Sequence, residues 1–161
     1  MPDLRALYRE VVLDHGTRPR NFGALAGATH SAEGENPLCG DRIHVDLALD
    51  GDGVRDVRFH GFGCVLATAS ASLMTESLKG KTRNEARALS DRMHEICAVQ
   101  PPDDSTAGPG AEPASARADA AGPHVEIGAL AIFEGVRQYP LRAKCATLAW
   151  RTMRSALDRD R

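Results

Sequence analysis

Three of the four cysteines in this chain stand where the sequence indicates a turn or the start of a helix. Cys39 lies in a turn-forming stretch, Cys64 ends a glycine-rich run, and Cys145 lies near the start of a helical pattern. Together with Asp41, they offer three thiolates and a carboxylate, a complete tetrahedral ligand set for Zn²⁺. If all four side chains bind one ion, the fold must bring a strand-edge loop and two helix starts to one point.

The spacing of the three cysteines does not by itself identify a metal site. Between Cys39 and Cys64 lie 24 residues, and between Cys64 and Cys145 lie 80. Zinc fingers instead use closely spaced pairs of cysteines. Cysteines scattered in this way are also common as core residues or isolated thiols, so from spacing alone both interpretations stay open.

The size and charge of the chain narrow the class of protein. With 161 residues it is expected to form one domain with a sizeable core. A formal net charge of −2 and a pI near 6.3 give no reason to expect a nucleic-acid partner. The first residues lack the pattern of a signal peptide, and no apolar stretch is long enough to span a membrane. We therefore expect a cytoplasmic protein with no membrane partner, whose cysteines bind metal or react rather than form disulfides.

Hydrophobic periodicity predicts an α+β chain. Apolar residues recur at helical spacing over 3–14, 64–78, about 86–97 and about 140–157. Residues 43–49 alternate between apolar and polar side chains, as in a half-buried strand, and the run Asp50-Gly51-Asp52-Gly53 predicts a hairpin turn into a second strand. Cys97 falls on the apolar face of its predicted helix, which indicates a core residue without a functional role.

One segment, 101–123, lacks the composition of a folded element. It begins with Pro-Pro-Asp-Asp-Ser-Thr, continues mostly with small and acidic residues, and contains no large apolar residue. Such a sequence cannot bury enough surface to offset its ordering entropy. We expect a disordered insertion within a single domain that spans 1–161.

Four sequence motifs carry a resemblance to a known family. They are Asn21-Phe22-Gly23, Gly34-Glu35-Asn36-Pro37-Leu38-Cys39-Gly40-Asp41, Gly61-Phe62-Gly63-Cys64 with Ala69-Ser70-Ala71-Ser72, and Lys144-Cys145-Ala146-Thr147-Leu148-Ala149-Trp150. In this order they resemble the SufU proteins, the zinc-containing branch of the IscU/NifU N-terminal family of iron–sulfur cluster assembly. The resemblance covers about 4–157 apart from the insertion. It implies an α+β fold of the IscU/NifU type, in which a small antiparallel sheet of about three strands packs against several helices.

The resemblance also implies an activity. A SufU-like protein accepts sulfur from the persulfide of a pyridoxal-phosphate-dependent cysteine desulfurase of the SufS type and serves the downstream SUF scaffold complex. On this basis the chain would be a zinc-dependent sulfurtransferase, which can equally be described as a sulfur carrier. Cys39 would be the catalytic acceptor, because thiolates attack persulfides and the matching cysteine of SufU-like proteins is released from zinc when the desulfurase docks.

The same resemblance assigns the zinc ligands as Cys39, Asp41, Cys64 and Cys145. Arg142 lies three residues before Cys145, on the same helical face, where its charge would offset an anionic site. Lys144 stands where the IscU scaffolds have a histidine directly before their last cysteine. We therefore expect Arg142 and Lys144 to lie beside the metal site.

Two alternative functions remain. In an iron–sulfur scaffold the same three cysteines would hold a transient cluster, although Lys144 and an Asp41 ligand argue against it. A cysteine-dependent hydrolase would need a histidine base beside a cysteine, and no motif places a histidine there. His44 and His60 alternate with apolar strand residues and are expected to face solvent, with a place near the metal site as the alternative for His60.

Overall fold

The fold is described by a computed structural model that covers residues 4–37, 40–98, 130, 132–133, 136 and 139–158. In chain order its elements are helix α1 (Leu4–Thr17), strands β1 (His30–Asn36), β2 (Asp41–Asp50) and β3 (Gly53–Phe62), and helices α2 (Val65–Leu78), α3 (Arg83–Cys97) and α4 (Pro140–Asp158). Cys39 and the segment 101–123, both prominent in the sequence, lie outside the described residues.

The three strands form an antiparallel sheet in the order β1-β2-β3. Along β2 the buried side chains of Ile43, Val45 and Leu47 share one face, whereas His44 and Asp46 lie on the other. The helices pack on the first of these faces and complete the core there. We call the face with Val45 the inner face of the sheet and the face with His44 the outer face.

Helices α2 and α4 contact the sheet, α1 packs on α2, and α3 packs on α4. Trp150 of α4 is fully buried, and its indole N–H donates to Oγ of Ser70 in α2 at 3.2 Å. Ser70 in turn donates to the carbonyl oxygen of Ala146, one turn before Trp150. These satisfied polar groups link α2 to α4 inside an apolar core, so the start of α4 is held against α2.

The expected fold is confirmed: a small antiparallel sheet of three strands packs against several helices. The hairpin between β2 and β3 falls at the predicted turn, and Cys97 is buried in the core as its position indicates. Helix α1 continues to Thr17, beyond the end that periodicity predicts at residue 14. Among the described helices, none combines the length and the apolar character that a membrane span requires.

Candidate metal centre

Asp41, Cys64 and Cys145 converge from three separate elements. Asp41 is the first residue of β2, Cys64 is the N-cap of α2, and Cys145 lies in the second turn of α4. A carboxylate oxygen of Asp41 and the two sulfur atoms all lie within 4.8 Å of one another. The structure thus brings together three of the four residues that the sequence suggests as zinc ligands.

Asp41 contacts Cys64 through both of its carboxylate oxygens. The side chain is only 2 % exposed, and its Oδ1 accepts the backbone N–H of Cys64 at 2.9 Å. Its Oδ2 lies 3.8 Å from the sulfur of Cys64. The N–H of Ala67, in the first turn of α2, donates to that sulfur at 3.4 Å. The N-terminus of α2 and the start of β2 are therefore joined at the two candidate ligands, Asp41 and Cys64.

Cys145 is 4 % exposed and is contacted by Asn36, at the end of β1. The side-chain amide of Asn36 donates to the sulfur of Cys145 at 3.8 Å, and the Asn36 carbonyl accepts the N–H of Gly40 at 2.8 Å. The sequence suggests Asn36 only as a turn residue before Pro37. Nothing in the sequence distinguishes an asparagine that only forms a turn from one whose side chain also donates a hydrogen bond to a cysteine sulfur.

The geometry of these side chains fits Zn²⁺. Tetrahedral zinc with sulfur at about 2.3 Å and carboxylate oxygen at about 2.1 Å places the two ligand atoms about 3.6 Å apart. The observed distance between the sulfur of Cys64 and Oδ2 of Asp41 is 3.8 Å. Thiolate and carboxylate are both ordinary ligands of zinc. Asp41, Cys64 and Cys145 would hold the ion.

Two positions near this site favour glycine, for different reasons. At Gly63 a Cβ atom would lie 3.0 Å from Oδ1 of Asp41, so a side chain there would displace the carboxylate. Gly40 adopts a φ of 72°, in the left-handed region that other residues rarely occupy. Gly40 also lacks a Cβ between two candidate ligands, Cys39 and Asp41, where a side chain would add to the crowding.

The site opens to solvent through a cavity of about 370 Å³ that is lined by both cysteines, Val12, Val65, Leu66 and Arg142. Cys64 is exposed, so the centre can be reached from outside. The guanidinium of Arg142 lies over the ring of Tyr139, 4.6 Å from its centroid. Lys144 is exposed on the same helix. Of the two basic residues expected beside the site, Arg142 is the one that lines its cavity.

None of the described histidines belongs to the group formed by Asp41, Cys64 and Cys145. The ligand group contains an aspartate and two cysteines, whereas His44 and His60 stack on the outer face of the sheet with ring centroids 4.6 Å apart. His15 has a serine partner, with 2.8 Å between Nδ1 and Oγ of Ser72, but that hydroxyl is fully buried. The described residues therefore give no support to a hydrolase.

Comparisons with known proteins show sequence similarity along nearly the whole chain. Residues 7–146 match the family described as the NifU-like N terminal domain. The zinc-dependent sulfurtransferase SufU of Bacillus subtilis (strain 168) is 34% identical over 158 residues, which cover 98% of this chain and 94% of that protein. The iron–sulfur cluster assembly scaffold protein IscU of Streptococcus pyogenes serotype M1 is 36% identical over 157 residues, 98% of this chain and 86% of that protein.

The fold agrees with these sequence matches. A solved structure from Fervidobacterium islandicum AW-1, described as an iron–sulfur cluster assembly scaffold protein for the SUF system, superposes with a TM-score of 0.73 at 28% identity. The superposition covers 96% of this chain and 98% of that one. The resemblance to SufU that the motifs indicate is confirmed, and the chain belongs to the NifU-like N-terminal domain family.

Proposed function

We propose that this protein is a zinc-dependent sulfurtransferase that accepts persulfide sulfur from a cysteine desulfurase for iron–sulfur cluster assembly. The observation that carries the proposal is the convergence of Asp41, Cys64 and Cys145, with their ligand atoms within 4.8 Å. Cys39, two residues before Asp41 in the sequence, is proposed as the fourth ligand and the sulfur acceptor. The similarity to a SufU that is named a zinc-dependent sulfurtransferase supports the same assignment.

The donor set favours zinc as the resident ion. Three thiolates and one carboxylate would give a closed tetrahedral site, the usual form of a zinc site with four protein ligands. When bound, zinc keeps the thiols deprotonated but makes each one a poorer nucleophile while it is a ligand. Four anionic ligands leave a net negative charge on a site with one divalent ion, and Arg142 in the cavity wall would offset it.

Sulfur transfer would use the thiolate of Cys39 after it leaves the metal. The thiolate attacks the terminal sulfur of the desulfurase persulfide, and a new S–S bond forms on Cys39. The old S–S bond breaks, and its electron pair stays on the desulfurase cysteine as a thiolate. No external oxidant or reductant is needed, because the two cysteines exchange the persulfide. Cys64 and Cys145, held by α2 and α4, would keep their positions during the transfer.

Exposed apolar side chains beside the site fit a protein partner. Phe62 and Val65, on either side of the Cys64 turn, are 67% and 42% exposed. Tyr139 and Leu141, next to Arg142, are about half exposed. Apolar side chains of this size in one region are typical of docking surfaces. We propose a pyridoxal-phosphate-dependent desulfurase of the SufS type as the partner, with the SUF scaffold complex downstream and the cytoplasm as the location.

A cluster assembly scaffold is the second candidate function. The same converging thiols could ligate iron, and the similar Streptococcus protein is named a scaffold. Lys144 argues against this alternative, because the IscU scaffolds have a histidine at that position and a lysine ammonium cannot ligate.

Metal content and the site of the persulfide test the proposal together. We expect the purified protein to contain zinc and, after reaction with a desulfurase and cysteine, to carry a persulfide on Cys39 that mass spectrometry locates. Cys39→Ala should abolish the acceptance of sulfur, whereas Cys97→Ala, which alters a core cysteine, should retain it. Stoichiometric iron with sulfide would favour the scaffold, and a persulfide confined to Cys97 would contradict the assignment of Cys39.

A further inference from the structure

A second cluster of ligating side chains lies on the outer face of the sheet. It consists of His44 and Asp46 on β2 and His60 on β3. Residues two apart share a face of a strand, and His60 pairs directly with His44 in the register of β2 and β3. One nitrogen of each ring and one oxygen of Asp46 lie within 4.8 Å of one another. The cluster is separate from the metal centre, because Asp41 shares the inner face with Ile43.

The contact between His44 and Asp46 is already close to the spacing of two ligands in a metal site. The two imidazole rings stack with centroids 4.6 Å apart and an angle of 23° between their planes. Nε2 of His44 lies 2.8 Å from Oδ1 of Asp46, an ordinary hydrogen-bond distance. A zinc-like ion with nitrogen and oxygen at about 2.1 Å separates two such ligand atoms by about 3.4 Å. For this pair, replacing the hydrogen bond with an ion requires an increase of about 0.6 Å, and one stacked ring must also turn so that both imidazole lone pairs point at the same ion.

Asp46 is held in place by donors outside the cluster. The residue is 6% exposed, and its Oδ1 accepts the hydroxyl of Ser31 at 2.6 Å while its Oδ2 accepts the N–H of Leu25 at 3.1 Å. Burial raises the pKa of Asp46, but the hydrogen bonds from Ser31, Leu25 and His44 outweigh it and leave the pKa below its ordinary value. A fixed carboxylate with such supporting donors is the arrangement that orients metal ligands in proteins.

The two histidines leave the cluster open on one side. Both are half-buried, in contrast to Asp46, so an ion and its water can reach the ring nitrogens from the outer face. Glu33, which lies opposite His44 on β1, is bound to Arg42 at 3.2 Å. We therefore count three protein ligands among the described residues, and water would complete the coordination.

We propose that His44, Asp46 and His60 form a second metal site, which binds a divalent transition-metal ion such as Zn²⁺ or Fe²⁺. Two imidazoles and one carboxylate suit these borderline ions, whereas Ca²⁺ and Mg²⁺ prefer sites made of oxygen and Cu(I) prefers sulfur. The inference goes beyond the proposed sulfur transfer and does not rest on it, because the two sites share no residue and lie on opposite faces of the sheet.

Zinc stoichiometry tests the second site. Equilibrium dialysis of the full chain against Zn²⁺ should show two bound ions in the unchanged protein and one in His60→Gln. The first ion serves as an internal check that the variant is folded. His44→Gln should have the same effect, and His94→Gln, on α3, should retain both ions. Loss of a ligand should weaken the second ion by more than the roughly tenfold to hundredfold seen when only a supporting residue is removed.

Cobalt absorption identifies the ligands of the second ion. When Co²⁺ is added to protein whose cysteine site is filled with Zn²⁺, we expect the visible bands of cobalt with nitrogen and oxygen ligands and no sulfur-to-cobalt charge-transfer band. The proposal is overturned if His60→Gln binds as many ions as the unchanged protein, or if the ion that His60→Gln loses shows thiolate bands. In those cases Asp46 only ties β2 to Leu25 and Ser31 through its hydrogen bonds.

Discussion

At the scale of single residues, Asp41 links the metal centre to the local backbone. One oxygen accepts the N–H of Cys64, and the other lies beside the sulfur of the same residue. The carboxylate therefore fixes where α2 begins and also serves as a proposed ligand. Because both tasks depend on its position, the residues that surround Asp41 should influence metal affinity without touching the ion.

Gly63→Ala should weaken zinc binding while the fold is retained. The added Cβ would lie 3.0 Å from Oδ1 and 3.2 Å from Cγ of Asp41, which is too close unless the carboxylate moves. A displaced ligand or supporting group costs roughly tenfold to hundredfold in metal affinity. Competition with a chromophoric chelator measures the zinc affinity, and circular dichroism follows the fold.

Gly53→Ala is the matched control for this substitution. Its Cβ would meet only the carbonyl oxygen of Asp50 at 3.6 Å, an ordinary contact, far from the metal centre in the β2–β3 hairpin. Its zinc affinity should equal that of the unchanged protein. Equal affinities for Gly63→Ala and the unchanged protein would mean that Asp41 does not need its present position to bind zinc.

The sequence could predict some of these residues but not others. Cys64 and Cys145 stand at positions that the turn and helix signals mark, so their placement at the starts of α2 and α4 could be foreseen. Asn36 could not, because its contact with Cys145 joins residues 109 positions apart. The sequence could assign His44 and His60 each to one face of its own strand. Their stacking, however, depends on the register between β2 and β3. Local patterns do not encode such contacts.

At the scale of elements, β1 shows where hydrophobic periodicity fails. Its sequence, His-Ser-Ala-Glu-Gly-Glu-Asn, has no large apolar residue and no strand propensity to detect. The segment is a strand because it pairs along its whole length with β2 and packs against α4. Tertiary contacts therefore override local preference. The hairpin of β2 and β3, in contrast, has both the alternation and the turn residues that identify it from sequence.

The contact between α1 and α2 depends on a buried polar network. His15 of α1 is 8% exposed, and its Nδ1 lies 2.8 Å from Oγ of Ser72 in α2. The same hydroxyl accepts the N–H of Arg20 at 2.8 Å. Burial lowers the pKa of His15, and the positive charge of Arg20 lowers it further. The carboxylates of Glu76 and Asp14 raise this pKa, but by less. Protonation of His15 should therefore loosen the packing of α1.

The stability of the protein should depend on pH through His15. In the unfolded chain its pKa is about 6.5, and in the folded protein it is lower, so the unfolded state binds more protons between the two values. The free energy of unfolding should fall as the pH drops below about 6.5, by at most about 1.4 kcal/mol per pH unit for one proton. Urea unfolding of the zinc-loaded protein between neutral pH and the start of carboxylate titration measures this slope.

His15→Gln should remove this contribution and flatten the dependence on pH. Both proteins are compared with zinc bound, so the effect of pH on the metal ligands cancels in the difference. The substitution also lowers stability at neutral pH if the contact with Ser72 weakens, but only the slope reports the titration. Parallel curves for the two proteins would show that His15 is not responsible.

At the scale of the whole molecule, the metal centre connects elements that the chain keeps apart. Its proposed ligands come from β2, from the start of α2 and from α4, and the long segment 98–139 lies between the last two. An insertion in a surface connection costs little, because loop-closure entropy grows only by about 0.6 kcal/mol per doubling of length. We therefore propose that the insertion 101–123 is tolerated within one domain, and that bound zinc acts as a cross-link between its two sides.

Zinc removal should consequently lower the melting temperature. A ligand that binds only the folded state adds about 2.7 kcal/mol when its free concentration is a hundred times its Kd. For a chain of 161 residues each kcal/mol shifts Tm by about 2–4 °C, so chelation should lower Tm by about 5–10 °C. Differential scanning calorimetry with zinc and with chelator measures the shift. In a protein that also carries His60→Gln, which removes the proposed second zinc site, Cys145→Ala should abolish the difference between the two conditions, since the proposed cross-link to α4 is lost. Cys97→Ala, which removes a buried sulfur of α3 outside the proposed ligand set, should melt earlier in both conditions but keep the same difference. A zinc-dependent shift that survives in the double variant Cys145→Ala, His60→Gln would contradict the assignment of Cys145 as a ligand.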